Sequence, residues 1–244
     1  MNGERTPVIG TLAFAFPHLA LVSLSFLNRL RLGEPLLGTI LTIPDPALAL
    51  VVAMVGYDWL FLDGELGTFA PGNIAPVIDA IGARAVCFVR VRELESEWID
   101  AAFDAGATGV IVPLVSTPHQ AARAVELTAG RGLVVVQAET RDAVLNIDAI
   151  ARVRGVDVVL IGPNDLSASL GIPGELTHPE YREAVATIAD GCKQAGVPVG
   201  IYAADVPTVR PYLERGFTFI VVGVDKQLLA GAAKRQLMAL RNSE

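Results

Sequence analysis

Two acidic residues, Glu139 and Asp165, carry the side chains in this sequence that are best suited to chemistry at a metal ion. Each follows a short apolar run, at 132–138 and at 156–161. Their carboxylate oxygens suit a hard divalent cation such as Mg²⁺ or Mn²⁺, which keeps further positions for water or substrate. Such an ion could bind the carboxylate and keto oxygens of a 2-oxo acid together and ease removal of a proton from C3. We therefore expect a site that forms the enolate of a small 2-oxo acid such as pyruvate.

A basic residue and a glycine-containing loop could complete this site. Arg90 ends the apolar run at 85–90, and its guanidinium could neutralise the enolate oxygen or hold the substrate through paired hydrogen bonds. Gly162 and Pro163 precede Asp165, and this loop could bring backbone N–H groups close to a substrate carboxylate. Ordinary structural roles stay open, because Asp165 could cap a helix and Arg90 could be a salt-bridge partner.

The elements that must position these residues follow a repeating pattern. From Leu37 onward, short apolar runs alternate eight times with longer amphipathic segments, which predicts a single-domain α/β fold, a (β/α)8 barrel. The predicted strands are 37–42, 58–62, 85–90, 108–114, 132–138, 156–161, 197–201 and 217–222, and the predicted helices are 45–56, 72–82, 95–105, 117–129, 141–153, 179–195, 205–215 and 225–241. An open doubly wound sheet would call for a glycine-rich fingerprint after the first strand, which LGTILTIPDP does not supply. Because all eight βα loops of a barrel open on one face, the residues at the strand ends should converge, and Asp63 and Glu65 there could brace a loop.

Composition narrows the class of protein. The chain has 244 residues, 52% of them hydrophobic, and a net charge of −7. An acidic chain without a Lys/Arg stripe is unlike a nucleic-acid-binding protein, so we expect no such partner. The two cysteines, Cys87 and Cys192, lie far apart in the sequence, which is typical of reduced thiols in a cytoplasmic enzyme.

The first 28 residues are set apart from the predicted barrel of 29–244 as an apolar segment. Residues 8–27 read VIGTLAFAFPHLALVSLSFL, a run long enough to span a bilayer. Three interpretations stay open: a signal or anchor, a helix or strand packed across the bottom of the barrel, or residues translated from an upstream start codon. Glu4 weakens the positive region of a signal, and Pro17 and His18 interrupt the apolar run. We favour an interpretation without a membrane, because the rest of the chain has the low cysteine content typical of a cytoplasmic enzyme.

At the residues above, the sequence resembles the HpcH/HpaI family of class II pyruvate aldolases, which are barrel enzymes. The likeness runs from about Asn28 to Leu240. The motifs that carry it are GYDWLFLDGE (56–65), FVRV (88–91), DAGATGVIVPLV (104–115), VVQAETRDAVLNID (135–148), VDVVLIGPNDLSASLG (156–171), HPEY (178–181) and FIVVGVDKQLL (219–229). The resemblance implies cleavage of a 4-hydroxy-2-oxo acid into pyruvate and an aldehyde, with a divalent metal, Mg²⁺, Mn²⁺ or Co²⁺, as cofactor.

The resemblance also implies roles for individual residues. Glu139 and Asp165 correspond to the two protein ligands of the metal, and Arg90 corresponds to the arginine that stabilises the pyruvate enolate. Gly162 to Asn164 correspond to the loop that binds the substrate carboxylate, and Gln137 to a polar residue of the same pocket. Family members are usually hexamers, built as two trimers, whose last helix packs on a neighbouring subunit, and the pattern from Gly223 to Leu240 is typical of that helix. The resemblance therefore implies a homo-oligomer, a trimer or a hexamer.

The sequence departs from the family in two places. Family aldolases have a histidine directly after DGE that acts as acid and base on the 4-hydroxyl group, and here that position is Leu66. Asp104 corresponds to the catalytic aspartate that pairs with this histidine. Because Leu66 replaces the histidine, Asp104 lacks the partner that its predicted catalytic role requires. His119 is a weak substitute for that base. The second departure is a deletion, because the long loop of the family after the fourth helix is reduced to the four residues 129–132.

These observations support one main function and two alternatives. The main prediction is a metal-dependent carbon–carbon lyase, an aldolase, that works through a pyruvate enolate. The first alternative keeps the enolate but uses it in an oxaloacetate-type decarboxylase or a citrate-synthase-like ligase, neither of which needs the histidine. The second is a pseudoenzyme that binds a 2-oxo acid without turning it over.

Overall fold

The computed structural model describes residues 17–241, with side chains from residue 21. Eight parallel strands form a closed barrel in which each strand pairs with its neighbours in chain order and β8 pairs with β1. The strands are β1 Leu36–Leu41, β2 Trp59–Asp63, β3 Val86–Arg90, β4 Gly109–Val112, β5 Leu133–Ala138, β6 Val158–Ile161, β7 Val199–Ala203 and β8 Phe219–Val224. The predicted (β/α)8 barrel is confirmed.

Ten α-helices accompany the strands within residues 17–241. They are α1 Pro17–Arg31, α2 Pro46–Ala53, α3 Ile74–Ile81, α4 Ser96–Asp104, α5 Pro118–Thr128, α6 Arg141–Ala151, α7 Pro163–Ser169, α8 Pro179–Ala195, α9 Val206–Glu214 and α10 Asp225–Arg241, with short 3₁₀ turns at Pro71–Asn73 and Gly82–Arg84. Eight of the helices match the prediction. The short helix α7, at the carboxyl end of β6, is not among the predicted helices; its first residues were interpreted as a loop, with a helix capped by Asp165 left open.

The predicted starts of the last two strands are two residues early. The apolar run before β7 was expected to begin the strand at 197, and the one before β8 at 217, whereas pairing begins at Val199 and Phe219. Phe217 is fully buried although it lies outside the strand. Burial and strand pairing therefore begin at different residues, and hydrophobicity marks only the first of them.

The core has two layers, inside and outside the barrel wall. Outward-facing strand residues pack against the surrounding helices, while the barrel interior is filled by aliphatic side chains together with a group of large aromatic ones. Trp59 stacks on Phe219 with ring centroids 3.9 Å apart, and Phe88 meets Phe219 edge-on at 5.4 Å. Phe26 of α1 contacts the same rings, at 5.5 Å from Phe88 and 6.3 Å from Phe219. The helix α1 therefore closes the amino end of the barrel.

The position of α1 bears on the apolar segment at the start of the chain. Of the three interpretations, a helix across the bottom of the barrel describes Pro17–Arg31, which runs continuously through residue 28. Residues 1–16 of that segment lie outside the described residues, and the division between 1–28 and 29–244 stays a prediction. None of the helices within residues 17–241 is long and apolar enough to cross a membrane.

A buried carboxylate fastens the last βα unit to the first strand. Asp225, the first residue of α10, is 3% exposed. Its oxygens accept hydrogen bonds from the Thr42 amide at 2.8 Å, the Thr42 hydroxyl at 2.7 Å, the Ile43 amide at 3.0 Å and the Lys226 amide at 2.8 Å. These bonds compensate the desolvation of the charge, so Asp225 holds the barrel closed at its carboxyl end.

Candidate active site

The carboxyl ends of the strands surround one cavity of about 220 Å³. The residues that line it include Asp63 from β2, Arg90 from β3 and Gln137 from β5, together with residues 162–165 after β6. They meet because parallel strands of a closed barrel end on one face. The structure therefore brings together the predicted residues Arg90, Gln137 and Gly162 to Asp165.

Arg90 lies at the centre of a buried ionic network. Its Nε donates to Asp63 Oδ1 at 2.9 Å and its Nη2 donates to Asp63 Oδ2 at 2.8 Å, a forked pair. Its Nη1 lies 2.8 Å from Glu65 Oε2 and donates to Gln137 Oε1 at 3.4 Å. Burial alone would lower the pKa of Arg90, but the hydrogen bonds and charge of Asp63 outweigh it and raise the pKa. Arg90 is therefore a fixed cation as well as the salt-bridge partner that the sequence left open.

Glu139 is buried beside this network and held on both oxygens. The Leu114 amide donates to Oε1 at 2.7 Å, and Gln137 Nε2 donates to Oε2 at 2.9 Å. Leu114 adopts a left-handed φ of 55°, which is strained for a leucine. Burial, reinforced by the charges of Asp165 and Glu65, raises the pKa of Glu139 to about 7. The carboxylate is thus fixed in position and short of positive charge.

The loop after β6 approaches Glu139 so closely that only glycine fits. A Cβ on Gly162 would overlap Glu139 Oε2 and would lie 3.2 Å from Glu139 Cβ and 3.3 Å from Gln137 Nε2. Gly162 is also the N-cap residue of α7, so Asp165 lies inside the first turn of that helix. The capping alternative for Asp165 is therefore wrong, and its carboxylate remains available to a ligand.

These side chains fit a divalent cation. The site holds four carboxylates and one guanidinium, that of Arg90, which pairs with Asp63 and Glu65. The other two carboxylates are those of Glu139 and Asp165, and the charges of Asp165 and Glu65 both raise the pKa of Glu139. Within the described part of the chain, no group of three or more His, Cys, Asp or Glu side chains is arranged to hold a metal. A site with two carboxylate ligands suits Mg²⁺ or Mn²⁺, which keeps several positions for water and substrate.

Two predicted or considered residues are not at this site. Asp104 is exposed and ends α4. The chain after it joins the amino end of β4, where the Thr108 amide donates to the Cys87 carbonyl. Since the site lies at the carboxyl ends of the strands, Asp104 faces away from it, and its predicted catalytic role has no geometric support within one chain. His119 is exposed on α5 and does not line the cavity.

The structure adds residues whose roles at the site were not predicted. Asp63 was interpreted as a brace for a loop, and it is one, because its Oδ1 accepts hydrogen bonds from the Glu65 amide at 3.0 Å and the Leu66 amide at 3.1 Å. It is also the forked partner of Arg90, which was not predicted. The sequence contained a signal for this pair, because Asp63 and Arg90 stand at the ends of two consecutive strands. In the structure the two residues pair in register. Tyr202, Gln227 and Leu66 also line the cavity, and Leu66 is 75% exposed at its mouth.

Comparison with known proteins places this geometry in a family. The family model described as HpcH/HpaI aldolase/citrate lyase matches residues 40–232. The chain belongs to this family. A hydroxypyruvate/pyruvate aldolase from Pseudomonas aeruginosa is 36% identical over 238 residues, which cover 84% of this chain and 88% of the relative. The family resemblance inferred from the motifs is confirmed.

Other relatives in the family differ in their named substrates. A 4-hydroxy-2-oxovalerate aldolase from Rhodococcus jostii is 35% identical, covering 84% of this chain and 92% of its own. A 4-hydroxy-2-oxo-heptane-1,7-dioate aldolase from Salmonella paratyphi C is 34% identical, covering 86% and 92%. The crystal structure of an HpcH/HpaI aldolase/citrate lyase family protein from Burkholderia cenocepacia superimposes with a TM-score of 0.85 at 33% identity, covering 89% and 99%.

Proposed function

We propose that this member of the HpcH/HpaI family is a metal-dependent aldolase that cleaves or forms a 4-hydroxy-2-oxo acid through the enolate of pyruvate. The observation that carries the proposal is that Arg90 and Asp165 line one cavity, while Glu139 is buried beside it, bonded to the lining residue Gln137 and within reach of the charge of Asp165. The carboxylates of Glu139 and Asp165, which could hold a divalent ion, lie beside the fixed cation Arg90. The ion and the cation together would stabilise the negative charge of an enolate. The relatives described above, which are named as aldolases, support the same reaction class.

Each residue then has a task. Glu139 and Asp165 hold the ion, which when bound supplies Lewis-acid polarisation of the keto group. Gln137 donates to Glu139 and fixes the orientation of that carboxylate. Arg90, held in place by Asp63, stabilises the negative oxygen of the enolate. The loop of Gly162 to Asn164 holds the substrate carboxylate, with the backbone N–H groups of Gly162 and Asn164 as donors, since Pro163 has none.

The fate of the enolate determines which reaction follows. Leu66 cannot transfer a proton, so a water molecule would take over the acid and base role on the 4-hydroxyl group. The same residue favours a second candidate function, an oxaloacetate-type decarboxylase or a citrate-synthase-like ligase, because neither reaction needs a proton transfer at that position. Turnover of oxaloacetate without any aldehyde-dependent turnover would favour this second candidate.

Exchange of the methyl protons of pyruvate with deuterium tests the enolate directly. We expect exchange by the wild-type protein with Mg²⁺ or Mn²⁺, followed by NMR. Glu139→Gln removes the charge of a metal ligand, so its exchange rate should fall at least about 100-fold. Glu126→Gln is the matched control, because Glu126 is exposed on α5 and pairs only with Arg123 among its described contacts. Absence of exchange by the wild type with every metal would refute the proposal.

Assembly and location complete the proposal. We propose a trimer or hexamer in the cytoplasm, with α10 packed on a neighbouring subunit. Support comes from the apolar side chains of this helix, because Leu229 is 64% exposed and Leu240 is 73% exposed. The buried thiols of Cys87 and Cys192, which form no disulfide, are compatible with a reducing compartment.

A further inference from the structure

The strand order divides the cavity into two sides. The groups assigned to pyruvate and the metal come from β5 and β6, with Arg90 from β3. In a ring of eight strands, β1 and β2 lie opposite β5 and β6. The part of the lining that we name the far wall is formed by Thr42 after β1 and Leu66 after β2, which lie opposite those groups, together with Val224 of β8, Gln227 of α10 and Tyr202 of β7, which continue it round the ring to β6. An electrophile that approaches bound pyruvate across the cavity must contact this wall.

The five residues of the far wall carry no charge of their own, and the carboxylates of Asp63 and Glu65 on the same side are paired with Arg90. Leu66 and Val224 are apolar, and the Thr42 hydroxyl donates to Asp225. Burial raises the pKa of Tyr202, so its phenol stays neutral. The wall can therefore offer apolar contact and neutral hydrogen-bond donors from Tyr202 and Gln227, but it cannot offer an ion pair.

Arg90 is the one cation among the described side chains that line the cavity. It is already engaged by both oxygens of Asp63 and by Glu65. The four carboxylates of the site leave three negative charges after Arg90 is counted, a divalent ion offsets two of them, and the carboxylate of pyruvate adds one. A second carboxylate on the electrophile would meet net negative charge and no free cation, which disfavours its burial.

We propose that the electrophile of this enzyme is an uncharged short-chain aldehyde and not an aldehyde that carries a second carboxylate. This inference rests on the proposed aldolase function and adds its substrate class. The inference distinguishes between the substrates named for two of the relatives. A heptane-1,7-dioate carries a second carboxylate, which the inference disfavours, whereas an oxovalerate does not. In the reaction, the methyl group of pyruvate loses a proton to water, the resulting enolate carbon forms a bond to the aldehyde carbon as the C=O π bond opens, and the aldehyde oxygen takes a proton back from water, so no net proton is gained or lost. No oxidant or reductant is needed.

The test compares two aldehydes of equal length. Butanal and succinic semialdehyde each have four carbons and differ in ending with a methyl group or a carboxylate. We expect kcat/KM for addition to pyruvate to be at least tenfold higher with butanal. Equal values, or a preference for succinic semialdehyde, would overturn the inference.

A pair of variants tests the far wall itself. Leu66→Arg places a cation on the wall, so the ratio of the two kcat/KM values should move toward succinic semialdehyde by at least tenfold. Leu145→Arg is the matched control, because Leu145 is 77% exposed on α6 outside the cavity, close to the 75% of Leu66. A ratio that Leu66→Arg leaves unchanged, or that both variants change alike, would contradict the role of the far wall.

Deuterium exchange of pyruvate in the same preparations separates this inference from the function on which it rests. Exchange together with a preference for the charged aldehyde would sink the inference and leave the enolate chemistry intact. Exchange with neither aldehyde consumed would also overturn it, in favour of the decarboxylase or ligase. Absence of exchange would refute both proposals.

Discussion

Gly162→Ala is a small substitution that should disable the site through a single contact. The added Cβ would overlap Glu139 Oε2 at a separation below 3.0 Å, which real Cβ atoms essentially never show. Either the carboxylate of Glu139 or the loop after β6 must therefore move. The carboxylate is held by the Leu114 amide at 2.7 Å and by Gln137 at 2.9 Å, so it cannot move without lengthening those hydrogen bonds.

The size of the effect follows from what the displacement breaks. Loss of one hydrogen bond to a charged group costs about 1.5–3 kcal/mol, so the fold should survive with lower stability. Metal affinity and catalysis depend on the position of the carboxylate more steeply, and a misplaced ligand or supporting group costs about 10- to 100-fold. We therefore expect the metal-dependent exchange of pyruvate protons to fall by at least tenfold while the protein stays folded.

The assay follows deuterium exchange of pyruvate by NMR and Mn²⁺ binding by calorimetry. Gly72→Ala is the control, because a Cβ at Gly72 meets nothing within 4 Å and its backbone does not require glycine. This variant should behave like the wild type in both measurements. Wild-type exchange and Mn²⁺ affinity in Gly162→Ala would refute the assignment of Glu139 as a metal ligand in this geometry.

Three further predictions concern stability and assembly. Asp225→Ala leaves the buried amide and hydroxyl of Thr42 without their acceptor, so urea unfolding should show a loss of at least about 3 kcal/mol; a loss below 1 kcal/mol would contradict the proposed closure. Burial raises the pKa of Asp157 from 3.8 to about 6, so the unfolded chain releases this proton first and stability falls as pH rises from about 4 to 6. Asp157→Asn should remove that fall. As pH rises from 4 to 7, the unfolding free energy of the variant should increase relative to that of the wild type by on the order of 1–2 kcal/mol, allowing for solvent screening. If the difference in unfolding free energy between variant and wild type is the same at pH 4 and pH 7, the raised pKa of Asp157 is refuted. Leu229→Asp should lower the sedimenting mass if α10 is an interface, whereas Gln236→Asp, on the same helix, should not.

The barrel could be predicted from the sequence because its signals are local. A buried parallel strand needs a short apolar run, and a helix that covers it needs an amphipathic pattern ended by glycine, as at Gly196 after α8. The position of Glu139, Arg90 and Asp165 directly after such runs was enough to expect them on one face. Local patterns also explain the errors at β7 and β8, since hydrophobicity reports burial and not the residue at which pairing begins.

The contacts of the site depended on tertiary structure, because they join residues far apart in the chain. The forked pair of Arg90 with Asp63 spans 27 positions, and the clasp of Asp225 on Thr42 spans 183. Asp104 stands after an amphipathic run like many helix-end acids, and only the direction of α4 shows that it points away from the site. The sequence by itself determined the strands, the family and the acids available for chemistry. The closed ring of strands decided which of those groups meet, since burial shifts the pKa of Glu139 to about 7 only where the folded chain excludes water from it.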